Sequence, residues 1–238
     1  MELYIVTGAS KGIDAACMEV LQQQGKTAIG IARSNPGGHE HFEEIDLTER
    51  SQRQGAIERL LSPYLHEAES FTLINNAGTV EPVGKVGALS ADGIRQAIEL
   101  NLSAPIELCN EFIEVLARTD AKKRIVNISS GAGRSAMEGW GVYCTTKAGL
   151  DRFSEVVRLE QKRAEFPAGI VSIAPGIIDT DMQKTIRSSE QEGFPLLGKF
   201  IDYKESGQLS SPEDTAERLL NWITRSDLTE TEVISRLN

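Results

Sequence analysis

Leu3-Tyr4-Ile5-Val6-Thr7-Gly8-Ala9-Ser10-Lys11-Gly12-Ile13-Asp14 is a short apolar run that stops at a glycine-punctuated turn and opens into a helical pattern. Beyond the turn, Ile13, Ala16, Cys17, Val20 and Leu21 fall on one helix face, and Gly25 is placed to end the helix. Glycines let a backbone turn tightly and approach a pyrophosphate, and a helix N-terminus favours the negative charge. The same turn is compatible with an ordinary strand-to-helix connection, so its meaning depends on the rest of the chain.

Working outward, five more apolar runs read as strands: 27–32, 42–46, 71–74, 124–128 and 169–174. Between them lie helical patterns. One spans 48–66, one is capped by Ser90, one carries Leu102, Ile106, Cys109, Ile113 and Leu116 on one face, and a long one runs from about 142 to 165. Residues 232–236 read as a last strand. Strands alternate with helices and are apolar on both faces. The pattern predicts one α/β domain over 1–238, a Rossmann-type doubly wound parallel sheet with helices on both faces. Such sheets carry their chemistry at the C-terminal ends of the strands.

The formal net charge of −10 over 238 residues repels phosphate backbones and excludes nucleic acid as a natural partner. No apolar run reaches the length of a membrane span. Three cysteines at wide spacing, Cys17, Cys109 and Cys144, predict neither a disulfide framework nor a metal site. With no leader-like segment ahead of the first strand, a cytoplasmic protein is expected.

An NAD site carries an acidic residue about 20 residues beyond the phosphate loop. Here the second strand ends Ile31-Ala32-Arg33, and Lys11 sits inside the loop. Two cations and no carboxylate favour the 2′-phosphate of NADP(H). Tyr143-Cys144-Thr145-Thr146-Lys147 places a phenol and an ammonium four residues apart on one helix face. A cation there is expected to lower the phenol pKa and suit the tyrosine to proton transfer.

Four strand-end segments in this order, Thr7-Gly8-x-x-x-Gly12, Asn75-Asn76-Ala77-Gly78, Ser129-Ser130-Gly131 with Tyr143-x-x-x-Lys147, and Pro175-Gly176, resemble the short-chain dehydrogenase/reductase family over nearly the whole chain. The resemblance implies that Gly8, Ser10, Lys11, Gly12 and Ile13 cradle the dinucleotide, with Arg33 at its 2′-phosphate. It places Asp46 and Leu47 at adenine, Asn76, Ala77 and Gly78 along the adenosine ribose, and Pro175, Gly176, Ile178 and Thr180 at the nicotinamide. Ser130, Tyr143, Lys147 and Asn101 are the implied catalytic set, Lys147 also holding a ribose. The family's third loop glycine is Asp14 here, a carboxylate near the expected pyrophosphate. An aspartate in a first helical turn is itself a favourable placement.

Within the family, Gly139-Trp140, Lys147-Ala148-Gly149-Leu150-Asp151 and Asp179-Thr180-Asp181-Met182-Gln183 resemble the benzil reductase and sepiapterin reductase branch. That implies reduction of one carbonyl of a small ketone, a 1,2-diketone such as benzil. Met137 and Trp140 would face the substrate, and residues 182–211, with Phe194, Leu196, Leu197, Phe200 and Tyr203, are expected to form a helical lid. The C-terminal segment lacks the branch's acidic residue, so a pterin is not implied. A homodimer or homotetramer through the helices near 102–117 and 142–165 is implied. A 3-ketoacyl carrier-protein reductase and a non-catalytic NADP-binding sensor stay open as alternatives.

Overall fold

The computed structural model describes residues 1–237. Seven parallel strands, β1 (Glu2–Thr7), β2 (Thr27–Ala32), β3 (Phe42–Glu44), β4 (Ser70–Asn75), β5 (Lys122–Ile128), β6 (Ala168–Ala174) and β7 (Ile234–Arg236), form one sheet in the order β3-β2-β1-β4-β5-β6-β7. The order reverses between β1 and β4, so the turns leaving these two strands flank the crevice of a doubly wound sheet. The helices are α1 (Gly12–Gln23), α2 (Arg50–Arg53), α3 (Ala56–Leu61), α4 (Ala91–Ile98), α5 (Ala104–Val115), α6 (Gly141–Gln161), α7 (Asp181–Arg187), α8 (Leu197–Glu205) and α9 (Pro212–Arg225).

Successive strand side chains point to opposite faces, and β1 shows the division. Leu3 and Ile5 join a core with Phe71, Leu73, Leu108 and Phe112, under α3 and α5. Tyr4 and Val6 join Cys17, Leu21, Ile74, Leu219 and Ile223, under α1 and α9. Each large side chain so buried contributes about 1.5–3 kcal/mol. A polar chain crosses the first core: Asn75 Nδ2 donates to Asn127 Oδ1 (3.0 Å), and Asn127 Nδ2 donates to Ser154 Oγ on α6 (2.9 Å). These buried bonds fix how α6 lies on β4 and β5.

Three sequence expectations need correction. The single helix over 48–66 is broken: Gly55 adopts φ 70°, separating α2 from α3, and residues 62–64 tighten to a 3-10 turn. The helix near 102–117 starts at Ala104, preceded by a π turn over Glu99–Ser103. The long helix ends at Gln161, not near 165. Helix α9 was not anticipated, although Ser211-Pro212 carries its start signal: Ser211 Oγ accepts from Asp214 N at 3.0 Å, with proline in the first turn. Buried Arg158 donates to the carbonyls of Ile170 (2.8 Å), Thr229 (2.7 Å) and Leu228. That clamp brings the last segment back to the sheet, where Leu237 N donates to Ala174 O at 3.0 Å.

Candidate active site

The turn after β1 holds Gly8 at φ 85° and Gly12 at φ 64°, a path that L side chains resist. Lys11 caps α1 without a side-chain bond, so the first N–H groups of the helix remain available to an anion. Thr7 Oγ1 accepts from Asn76 N (3.1 Å) and Ala77 N (3.2 Å), locking the β1 and β4 turns together across the crevice.

Asp14 stands in the first turn of α1, 5 % exposed, with Oδ2 accepting from Asn76 Nδ2 at 2.5 Å. Burial pushes its carboxyl up to about 8, while the Asn76 bond and the Lys147 charge pull it down. The helix terminus favours the ionised form by at most about 2 kcal/mol, and burial outweighs it. Near neutrality this side chain is therefore a neutral acid.

Tyr143 and Lys147 lie one turn apart on the buried face of α6. Lys147 Nζ donates to Ile128 O at 2.8 Å and sits 5.9 Å from the Tyr143 ring centroid. Burial lowers the ammonium to about 8, opposed chiefly by the charge of Asp151. The Tyr143 phenol is pushed up to about 12 by burial, opposed by the polar influence of the Ser130 hydroxyl. The expected lowering by Lys147 is overturned here: desolvation of the phenolate outweighs a cation that is turned to a carbonyl. The result is a phenol that keeps its proton at neutral pH.

Asn101 lies in the π turn, where one extra residue is accommodated in the helical path. Its amide clamps Thr79, accepting from Thr79 N and donating to Thr79 O at 2.8 Å each, and it donates to Thr146 Oγ1 at 3.3 Å. Thr146 lies between Tyr143 and Lys147 in the chain, so Asn101 ties the turn after β4 to α6. Buried Arg53 pairs with Glu99 (2.8 Å), the first residue of this turn, and with Glu107 (2.7 Å) on α5, and so ties the start of the turn to the helix that follows it.

A cavity of about 560 Å³ runs along the strand ends. Of the residues singled out in the sequence, it brings together Gly8, Lys11, Gly12, Ile13, Asn76, Ser130, Met137, Trp140, Tyr143, Lys147, Pro175, Gly176, Ile178 and Thr180. Ser10, Arg33, Asp46, Leu47, Ala77, Gly78 and Asn101 do not line it. Arg33 is exposed at the end of β2, its charge acting on Asp46. Asp46 Oδ1 is engaged by Thr48, through N at 2.9 Å and Oγ1 at 2.7 Å. Asp14, Val80, Gln183, Ile186, Lys199, Arg236 and Leu237 also line the cavity. Asp14 and Gln183 lie in the segments that carried the resemblance, whereas no motif marked Val80, Lys199, Arg236 and Leu237.

One end of the cavity is aromatic. Trp140 stacks on Phe194 (4.8 Å between centroids) and meets Tyr143 (5.3 Å) and Phe200 (5.2 Å) edge-on. Phe194 and Phe200 come from residues 182–211, which form α7, a turn and α8 above Trp140.

A family model described as short chain dehydrogenase matches residues 2–191. The chain belongs to the short-chain dehydrogenase/reductase family. It is 38 % identical over 229 residues to a benzil reductase ((S)-benzoin forming) of Bacillus subtilis, covering 94 % of each chain. It is 30 % identical over 245 residues to the sepiapterin reductase of Meriones unguiculatus, covering 93 % of this chain and 90 % of that one. Among solved structures it resembles the KRED1-Pglu enzyme, with a TM-score of 0.81, 27 % identity, and coverage of 95 % and 96 %. Members of this family are oxidoreductases that bind a nicotinamide dinucleotide. The residues of this chain fit such a group. The glycine turn leaves the helix N–H groups open to the cavity, and Asp14, the one departure, is a neutral side chain at ordinary pH. Among the described residues no helix is long and apolar enough to cross a membrane.

Proposed function

We propose that the protein is an NADPH-dependent carbonyl reductase for small ketones, a 1,2-diketone such as benzil being the favoured substrate. The observation that carries this reading is Tyr143: a proton-retaining phenol that shares with Ser130 a cavity joining the glycine turn to an aromatic wall. The printed activities of the bacterial relatives point the same way.

When bound, the dinucleotide supplies the hydride. Gly8, Ser10, Lys11, Gly12 and Ile13 would hold its pyrophosphate, Arg33 and Lys11 its 2′-phosphate, and Asp46 and Leu47 its adenine. Asn76, Ala77 and Gly78 would line the adenosine ribose, and Pro175, Gly176, Ile178 and Thr180 the nicotinamide. Ser130 Oγ orients the substrate oxygen, and Tyr143 donates its proton to that oxygen as negative charge develops there. Lys147, positioned by Ile128 O, stabilises the phenolate left behind and holds a ribose hydroxyl. Asn101 keeps the turn after β4 in register with α6 so that the proton can be replaced. Met137, Trp140 and Phe200 pack on the apolar parts of the ketone, and residues 182–211 close over it and exclude water.

Val156 and Leu159 on α6 are 44 % and 64 % exposed, an apolar strip that supports assembly through α5 and α6 as a homodimer or homotetramer. The three free cysteines fit a reducing cytoplasm.

The test is loss of reduced-nicotinamide absorbance with benzil and with acetoacetyl thioesters, each run with NADPH and NADH. Turnover of benzil with NADPH supports the reading. Turnover of thioesters alone would replace it with a carrier-protein ketoreductase.

A further inference from the structure

Asp14 is a buried titratable group that the proposed reaction does not use, and it stands where the family has glycine. Its carboxyl occupies the space beside Gly8, a Cβ on which would lie 2.8 Å from Asp14 Oδ2. Asn76 Nδ2 donates to that oxygen. A neutral carboxylic acid has one O–H donor. With Oδ2 accepting from Asn76, the proton belongs on Oδ1. The side chain lines the cavity between the glycine turn and Asn76.

We infer that Asp14 binds the dinucleotide as a neutral acid, Oδ1–H donating to it beside the pyrophosphate, so that binding above neutrality takes up one proton from solvent. The inference rests on the dinucleotide reading above and adds the charge state of one residue.

The surroundings support a neutral side chain. Lys147 on α6 is the cation acting on Asp14, and it favours the ionised form less than burial disfavours it. Cys17, one turn along α1, is a thiol that burial keeps protonated. Lys11, in the turn before α1, is exposed and acts on Asp181 at the start of α7, which itself bonds Lys184 at 2.8 Å. Gly8 and Asn76, from the β1 and β4 turns, bring no charge. Among the described residues no other charge acts on Asp14 to offset a carboxylate there. An ionised Asp14 would set one negative charge against another in a low-dielectric pocket, where such repulsion is strong.

The experiment is dinucleotide binding, read by NADPH fluorescence on either side of about pH 8, for wild type, Asp14→Asn and Asp14→Gly. Lys147 also loses its charge in this range, so the comparison between proteins carries the answer. Asparagine can keep the Asn76 bond without titrating, and glycine restores the family residue should asparagine disturb the turn. On the alkaline side the wild-type Kd should weaken by up to about tenfold more per pH unit than that of either variant. Calorimetry in buffers of different ionisation enthalpy should find about one more proton taken up by wild type. Parallel pH profiles and equal proton uptake, with binding intact, would overturn the inference and leave the dinucleotide reading standing. No binding of NADPH or NADH by any of the three proteins would overturn both.

Discussion

A Cβ on Gly139 would stand 2.4 Å from the carbonyl oxygen of Gly193, and Gly139 holds φ at 85°. The turn at Gly193-Phe194 is thus seated directly on the backbone that leads into Trp140. Gly139→Ala would require both a left-handed alanine, at about 1–2 kcal/mol, and displacement of this turn. The expected result is a several-fold rise in KM for the ketone, with NADPH affinity unchanged and faster proteolysis near residues 188–196. An unchanged KM would mean that this contact does not seat the cap.

Asp14 and Lys147 make opposite contributions to stability as pH changes. Asp14 holds its proton to about pH 8 in the fold, against about 3.9 when unfolded. Its contribution is therefore complete below the unfolded value and is lost as pH rises towards 8. Lys147 releases its proton near 8 in the fold, against about 10.4 unfolded, so its contribution improves between these values as pH rises. Asp14→Asn is expected to melt higher than wild type, with the gap widening from about pH 4 to 8 and exceeding about 2 °C at the upper end. For Lys147→Met the gain should be largest below pH 8 and shrink by about pH 10. A gap for Asp14→Asn that does not vary with pH would show that this carboxyl titrates normally.

Asn101→Ala would leave Thr79 N and O without their side-chain partner and open a hole beside Thr146. A loss of about 2–4 kcal/mol is expected, measured as a lower denaturant midpoint at unchanged slope. A loss below about 0.5 kcal/mol would show that the clamp is dispensable for stability.

The choice of dinucleotide should lie with Arg33 and Lys11. A charged hydrogen bond is worth about 1.5–3 kcal/mol, so Arg33→Asp should weaken NADPH by roughly ten- to a hundredfold and improve NADH. Direct titration with both dinucleotides checks this. Equal effects on the two would place the 2′-phosphate elsewhere.

What the sequence revealed follows from where its signals are local. Apolar strands and the turn residues at their ends are read from neighbours in the chain, so the parallel sheet and the grouping of Gly8, Ser130, Tyr143 and Pro175 were legible. Gly55 was not: a lone glycine costs a helix only about 1 kcal/mol, and the left-handed turn there depends on how α3 packs. The aromatic wall was half legible, because Phe194 and Phe200 are merely apolar until residues 182–211 fold onto Trp140. For Asp14 and Tyr143 the chain showed the right atoms but not their charge states. Position on a helix and a nearby lysine favour ionisation, whereas burial, visible only in three dimensions, decides against it.

Proton transfer from Tyr143 to the ketone is the step on which the proposed reaction turns. The decisive variant is Tyr143→Phe, assayed for NADPH-linked benzil reduction beside a measurement of NADPH binding. The expected result is a fall in kcat of at least about a hundredfold with dinucleotide affinity within a few-fold of wild type. A variant that binds NADPH normally and keeps most of its turnover would contradict it.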